Sequence, residues 1–308
     1  MILNTGSRTD IPAFYSEWFM NRIREGYVYT RNPFYYHQVI RYDLNPDVVD
    51  VLVFCSKNPK PMLKHLDELK KFRQFWFVTI TPYGKDIEPN VPDKNEVLDT
   101  FIALSKSVGK NCVSLRYDPI FISEKYSIEY HINSFTKMMN KIGDYTKQVV
   151  ISFIDLYEKT KRNFPEAKEV SLDEQILLTK KFVEIAKQHD VKIYTCHEND
   201  ILSKYGADTS GCMSKNVLEY AIGEKLIIKN KQETREGCSC LLGNDIGMYN
   251  TCLHLCKYCY ANYSSKEVFE NNKKHNPNSP LLIGNIEKED IVKQSKQVSY
   301  IDDQLTLF

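Results

Sequence analysis

Apolar or β-branched runs at Ile2–Asn4 and at 51–54, 75–80, 112–116, 149–154 and 191–195 are separated by stretches of helix length. The intervening stretches carry the helical period. PMLKHLDELKKF aligns Leu63, Leu66 and Leu69, and NEVLDTFIALSKSV aligns Val97, Leu98, Phe101 and Leu104. LDEQILLTKKFVEIAKQ follows Ser171, with Glu174 placed to complete a capping box. Strand and helix alternating in this way imply parallel strands with helices packed outside, as a barrel or an open sheet. We expect the α/β class, specifically a full or partial β/α barrel of roughly six to eight strands. With 308 residues, 42% of them hydrophobic and 26% charged, the chain can bury a core of that size.

The residues that follow the strands carry chemistry. Ser7, Arg8, Thr9 and Asp10 follow the first run, and Lys57 and Asn58 the second. Thr81 and Tyr83 come next, then Arg116 with Asp118, Ser152 with Asp155, and Cys196 with Glu198. In a β/α barrel the carboxyl ends of the strands share one face, and that face carries the active site. Arg8, Asp10, Lys57, Arg116, Asp118 and Glu198 are therefore the expected catalytic or anion-binding set. For each of them, being one half of an internal ion pair is the alternative reading.

Charge and hydropathy exclude some partners. The 41 basic and 40 acidic residues leave a net charge of +1, so no global field draws the chain to nucleic acid or an anionic membrane. No apolar run approaches the ~18 residues of a membrane span, and MILNTGSRTD lacks signal-peptide character. We expect a cytoplasmic protein, in which cysteines serve as metal ligands or free thiols.

Cys55 and Cys112 sit in apolar runs and read as small buried hydrophobes. TCLHLCKYCYAN places Cys252, Cys256 and Cys259 at C-x3-C-x2-C, with three thiolates on one short loop. Structural zinc usually takes four protein ligands, so three thiolates point to an iron–sulfur cluster with an external ligand; two zinc ligands beside a buried thiol are the alternative. Cys196, Cys212, Cys238 and Cys240 remain. Four thiols complete a tetrahedral zinc site or an all-cysteine cluster.

The runs SRTDIPAFYSEWFMNRIREGYVYTRNP, FCSKNP, TPYGKDIEPNVP, RYDPI, ISFIDLY and GCSCLLGNDIGMYNTC, with the cysteine loop, closely resemble the bacterial domain of unknown function 1848 family over about residues 1 to 263. The cysteine motif, with Tyr258 before its last cysteine, resembles the radical S-adenosylmethionine superfamily, although those enzymes carry the motif after the first strand. Residues 81–120 resemble, more distantly, DNA-lesion lyases of the spore-photoproduct type. The likeness implies a [4Fe–4S] cluster on Cys252, Cys256 and Cys259, S-adenosylmethionine on its open iron, and an electron donor as partner. Tyr258 would lie beside the adenine, and Arg8, Lys57 or Arg116 would take the cofactor carboxylate or a phosphate. Asp10, Asp118 and Glu198 would hold the ribose or orient those cations, and Ser152 would complete the cofactor pocket. The resulting expectation is a lyase or oxidoreductase, with DNA repair or modification as its setting. A redox protein without S-adenosylmethionine, or a binding protein stapled by metal, are the alternatives.

The organisation we expect is a β/α barrel over 1–235, a cysteine-rich iron–sulfur segment over 236–265, and a linker and tail over 266–308. NNKKHNPNS, residues 271–279, reads as a solvated linker. The terminal QLTLF resembles the motif by which bacterial repair proteins dock on the sliding clamp, with Gln304, Leu305, Leu307 and Phe308 as anchors. A short edge strand is the alternative for this pentapeptide.

Overall fold

The computed structural model describes residues 1–228, 239–241 and 244–302. Strands β1 (Ile2–Asn4), β4 (Val51–Ser56), β5 (Gln74–Thr79), β6 (Val113–Ile120), β7 (Gln148–Phe153) and β8 (Lys192–Thr195) form one sheet in that order. Every pairing in it is parallel. The expected runs thus become strands with ends shifted by a few residues, and the α/β class holds.

The sheet is wound in one direction. Helices α1 (Ile11–Phe14), α2 (Ser16–Glu25), α4 (Lys94–Val108), α5 (Ile128–Ile142) and α7 (Leu172–Lys187) bury their apolar stripes in one cluster with Leu3, Leu52, Phe54, Trp76, Val78, Leu115 and Ile151. Ser171 and Glu174 form the expected capping box at the start of α7. Residues 61–72 differ from the expected helix: a 3-10 turn over Lys60–His65 leads into α3 (Leu66–Leu69), a single turn.

Side chains of the opposite parity face the other way. Ile2, Val51, Val53, Phe75, Phe77 and Val150 form a second cluster with Val217, Leu218 and Ala221 of α8 (Lys215–Ile222). Continuing along the same parity toward the carboxyl ends, the residues become Asn4, Cys55, Thr79, Arg116, Asp118, Ser152 and Cys196. One half of this face is core, and the other half is polar.

Both free edges of the sheet are covered. Asn4 of β1 donates to Asn244 O at 2.8 Å and accepts from Ile246 N at 3.0 Å. On β8, Thr195 N donates to Asp208 O at 2.9 Å and Asp208 N to Ile193 O at 2.8 Å.

A second sheet joins the antiparallel pair β2 (Tyr27–Arg31) and β3 (Gln38–Asp43) to β9 (Ile291–Gln294), which runs parallel to β3. The sequence reading missed it, because these strands alternate weakly and lie against short turns. The expectation of a solvated linker over 271–279 is corrected. The segment begins inside α9 (Ser265–Lys273), Ser279 is buried, and Trp18 Nε1 donates to Ser279 O at 2.9 Å, pinning the chain before buried Leu281 and Leu282. Polar composition there reflects turns whose backbone is bonded to the core. Among the described residues, no helix is long and apolar enough to cross a membrane.

Candidate metal and cofactor site

Long-range hydrogen bonds fix the cysteine loop at the strand ends. Tyr15 OH donates to Thr251 O at 2.6 Å, Asn90 Nδ2 to Leu253 O at 2.8 Å, Lys257 N to Ile87 O at 3.0 Å, and Tyr260 OH to Ser7 O at 2.6 Å. Asn250 and Leu255 hold φ of 57° and 55°, a left-handed conformation that costs an ordinary side chain about 1 kcal/mol. Strain held in this way marks a geometry imposed by the surroundings.

Within the loop, Cys256 is buried and Cys252 and Cys259 are half-buried; all three are free thiols. Burial pushes Cys256 up to about 12 and raises Cys252 and Cys259, so as thiols they are protonated at neutral pH. A metal that displaces those protons changes this balance. Among the described residues, no three cysteine Sγ atoms all lie within 4.8 Å of one another. Three free thiols on one loop are a donor set that would fit an iron–sulfur cluster with one open position.

Glu88 organises the surroundings. Its buried carboxylate accepts from Lys57 Nζ at 2.8 Å, Thr81 Oγ1 at 2.6 Å, Tyr258 OH and Lys94 Nζ. Burial would raise its pKa, but Lys57 and Lys94 outweigh this and hold it down at about 2. Lys57 also acts electrostatically on Cys256 and Cys259, placing a cation where thiolates would form. Asp10 forms a second anchor: it accepts from Lys57 N at 2.7 Å, Ala13 N at 3.0 Å and His254 Nε2 at 2.9 Å.

Arg8, Asp10, Lys57, Arg116, Asp118 and Glu198 all lie at this end of the sheet, and each has a protein partner. Arg8 pairs with buried Asp245 at 3.5 Å, and Arg116 Nε with Asp118 at 2.9 Å. Lys57 and Tyr258 meet at Glu88. Glu198 accepts from Ser152 Oγ at 2.9 Å and Phe153 N at 2.8 Å, and burial lifts its carboxyl to about 7. The ion-pair alternative thus describes Arg8, Lys57, Arg116 and Asp118 as they stand.

Of the second set, Cys196, Cys212 and Cys240 come together near Arg116, while Cys238 lies outside the described residues. So do Gln304, Leu305, Leu307 and Phe308. Sequence reading missed Glu88, Lys94, His254, Asp245 and Tyr260. Only His254 and Tyr260, inside the cysteine loop, carried a local signal. Cys55, set aside as a small buried hydrophobe, lies on the polar half of the sheet face within electrostatic reach of Arg116, Asp118 and Asp10. Gly6 packs against it so closely that an added Cβ would stand 2.5 Å from Cys55 Cβ.

No match to the chain was found among curated proteins. A family model described as a domain of unknown function, DUF1848, matches residues 2–261, from the first strand through the cysteine loop. The span includes both groups of cysteines, and the chain belongs to the DUF1848 family.

Proposed function

We propose that the chain is an iron–sulfur enzyme of the radical S-adenosylmethionine type, built on an incomplete β/α barrel. The observation that carries this reading is the set of three unbridged thiols of C-x3-C-x2-C on one loop at the carboxyl ends of parallel strands. Cys252, Cys256 and Cys259 would hold a [4Fe–4S] cluster. When bound, that cluster supplies one electron for cleavage of S-adenosylmethionine to methionine and a hydrogen-abstracting adenosyl radical.

The protein's own groups have defined tasks in this reading. Lys57 balances negative charge beside Cys256 and Cys259, and Glu88 holds Lys57 in place. His254, bonded to Asp10, sets the first half of the loop, and Tyr258, bonded to Glu88, sets the second. Tyr258, buried with its hydroxyl fixed on Glu88, would lie beside a cofactor adenine. Arg116 on β6 and Glu198, just beyond the end of β8, are the groups to hold a carboxylate or move a proton. At about 7, the Glu198 carboxyl exchanges its proton near neutral pH.

The discriminating experiment reduces anaerobic protein with dithionite and adds S-adenosylmethionine. Release of 5′-deoxyadenosine supports the enzyme reading; a reversible cluster with no cleavage leaves the redox protein in its place. DNA as substrate rests on the terminal QLTLF motif. Titration of the C-terminal peptide against a bacterial sliding clamp tests it, and binding unchanged by substitution of Gln304, Leu307 and Phe308 removes it.

A further inference from the structure

Cys212 Sγ and Cys240 Sγ stand 3.4 Å apart, both buried, and the Cys196 thiol lies near enough to Cys212 for the two to act on each other electrostatically. The three come from separate segments. Cys196 follows β8, Cys212 follows the stretch that covers the free edge of β8, and Cys240 precedes the stretch that covers the free edge of β1. N–H donors point at their sulfurs: Met213 N at 3.4 Å from Cys240 Sγ, and Arg116 Nη1 at 3.9 Å from Cys212 Sγ. Such donors favour thiolate, whereas thiols packed only for their size need none.

The backbone is shaped for this approach. Gly211 adopts φ of 111°, and a Cβ there would collide with Ser239 Oγ. Ser239 Oγ itself donates to Ser210 O, and Leu241 N donates to Met213 O at 3.1 Å. His197, beside Cys196, holds φ of 60°.

We propose that Cys196, Cys212 and Cys240 bind a single zinc ion, with water as its fourth ligand, that ties the two free edges of the parallel sheet together. The separation decides between ions. Thiolates on one tetrahedral zinc lie ~3.8 Å apart, close to the Cys212–Cys240 spacing, whereas a cluster holds each thiolate on a different iron. The three sulfurs do not all fall within 4.8 Å of one another, so binding turns the half-buried Cys196 side chain inward. Zinc enters as Zn²⁺, each ligating thiol gives its proton to solvent, and no electron is transferred. The ion then closes a loop of chain from 196 to 240 whose ends already flank the sheet. This site is independent of the cluster on Cys252, Cys256 and Cys259.

The test uses the full chain with Cys252→Ala, Cys256→Ala and Cys259→Ala, expressed with zinc in the medium. Elemental analysis should find about one zinc per chain, and cobalt in its place should give thiolate-to-cobalt absorption in the near ultraviolet. Adding Cys212→Ser and Cys240→Ser should abolish both. Because those two positions are buried, a second measurement needs no core substitution. Blocking thiols of the triple variant with a mercurial should release the zinc to a chromogenic chelator and lower its melting temperature. Less than about a tenth of a zinc per chain in the triple variant, iron with sulfide in its place, or zinc that stays bound after every thiol is blocked overturns the proposal.

Discussion

Cys252, Cys256 and Cys259 lie on one loop whose spacing declares them as a group, while Cys196, Cys212 and Cys240 meet only after the sheet has formed and its edges have been covered. The first site is local in sequence, but its position depends on distant side chains: Glu88, Asp10, Asn90 and Tyr15 hold the loop. The second is distant in sequence and is held mainly by backbone close to the sulfurs. A ligand set can therefore be easy to recognise and still hang on residues that no motif reveals. Perturbing the two supports should separate the two sites.

The largest expected effect is at Glu88. Glu88→Gln leaves Lys57 and Lys94 facing a neutral amide in a buried setting, which should cost about 3–5 kcal/mol in urea unfolding. Amide exchange should accelerate over 251–262 and stay unchanged over 208–213. Equal acceleration in both segments would show that the supports are shared.

Acid should separate a third region from either site. His131 is fully buried, bonded to Tyr117 OH at 2.9 Å and Phe121 O at 3.0 Å, and burial lowers its pKa from 6.5 to about 4. As pH falls below 6.5, the unfolded chain takes up this proton before the folded one. The contribution, at most about 3 kcal/mol, is thus complete above pH 6.5 and lost toward pH 4. Glu88, held at about 2, contributes above its unfolded value of 4.5 and loses that contribution as pH falls from 4.5 toward 2. His131→Gln should flatten stability between pH 6.5 and 4 and leave the lower step in place. An unchanged slope in the upper window would remove His131 as its source.

A smaller effect is expected at Gly211. Gly211→Ala meets both the positive φ and Ser239, at a cost of about 1–3 kcal/mol, and should lower zinc content without changing iron content. The smallest is at Leu255, where Leu255→Gly removes about 1 kcal/mol of left-handed backbone cost. Its thermal midpoint should be level with wild type or slightly higher, and a clear fall would mean that the Leu255 side chain matters more than its backbone.

The parallel sheet was legible because its strands are short apolar runs between helical periods, and its polar half because Arg116, Ser152 and Cys196 continue the parity of apolar positions. Ion pairing was an open alternative for these polar residues, but the sequence could not reveal the partners of Arg8 and Lys57. Asp245, the partner of Arg8, lies over two hundred residues away in a segment without period. Glu88 was one acidic residue in a loop containing another, Asp86, which instead pairs with exposed Lys125. The second sheet escaped because β9 is exposed throughout and has no alternation to read.

The central claim is that Cys252, Cys256 and Cys259 hold a cluster with one coordination position open to S-adenosylmethionine. Electron paramagnetic resonance of the anaerobic, dithionite-reduced protein, with and without S-adenosylmethionine, tests it most directly. The account predicts about four irons per chain on these cysteines, a reduced-cluster signal that changes when S-adenosylmethionine is added, and no such signal in the triple Cys→Ala variant. Full iron content in that variant, or a wild-type spectrum indifferent to S-adenosylmethionine, would contradict it.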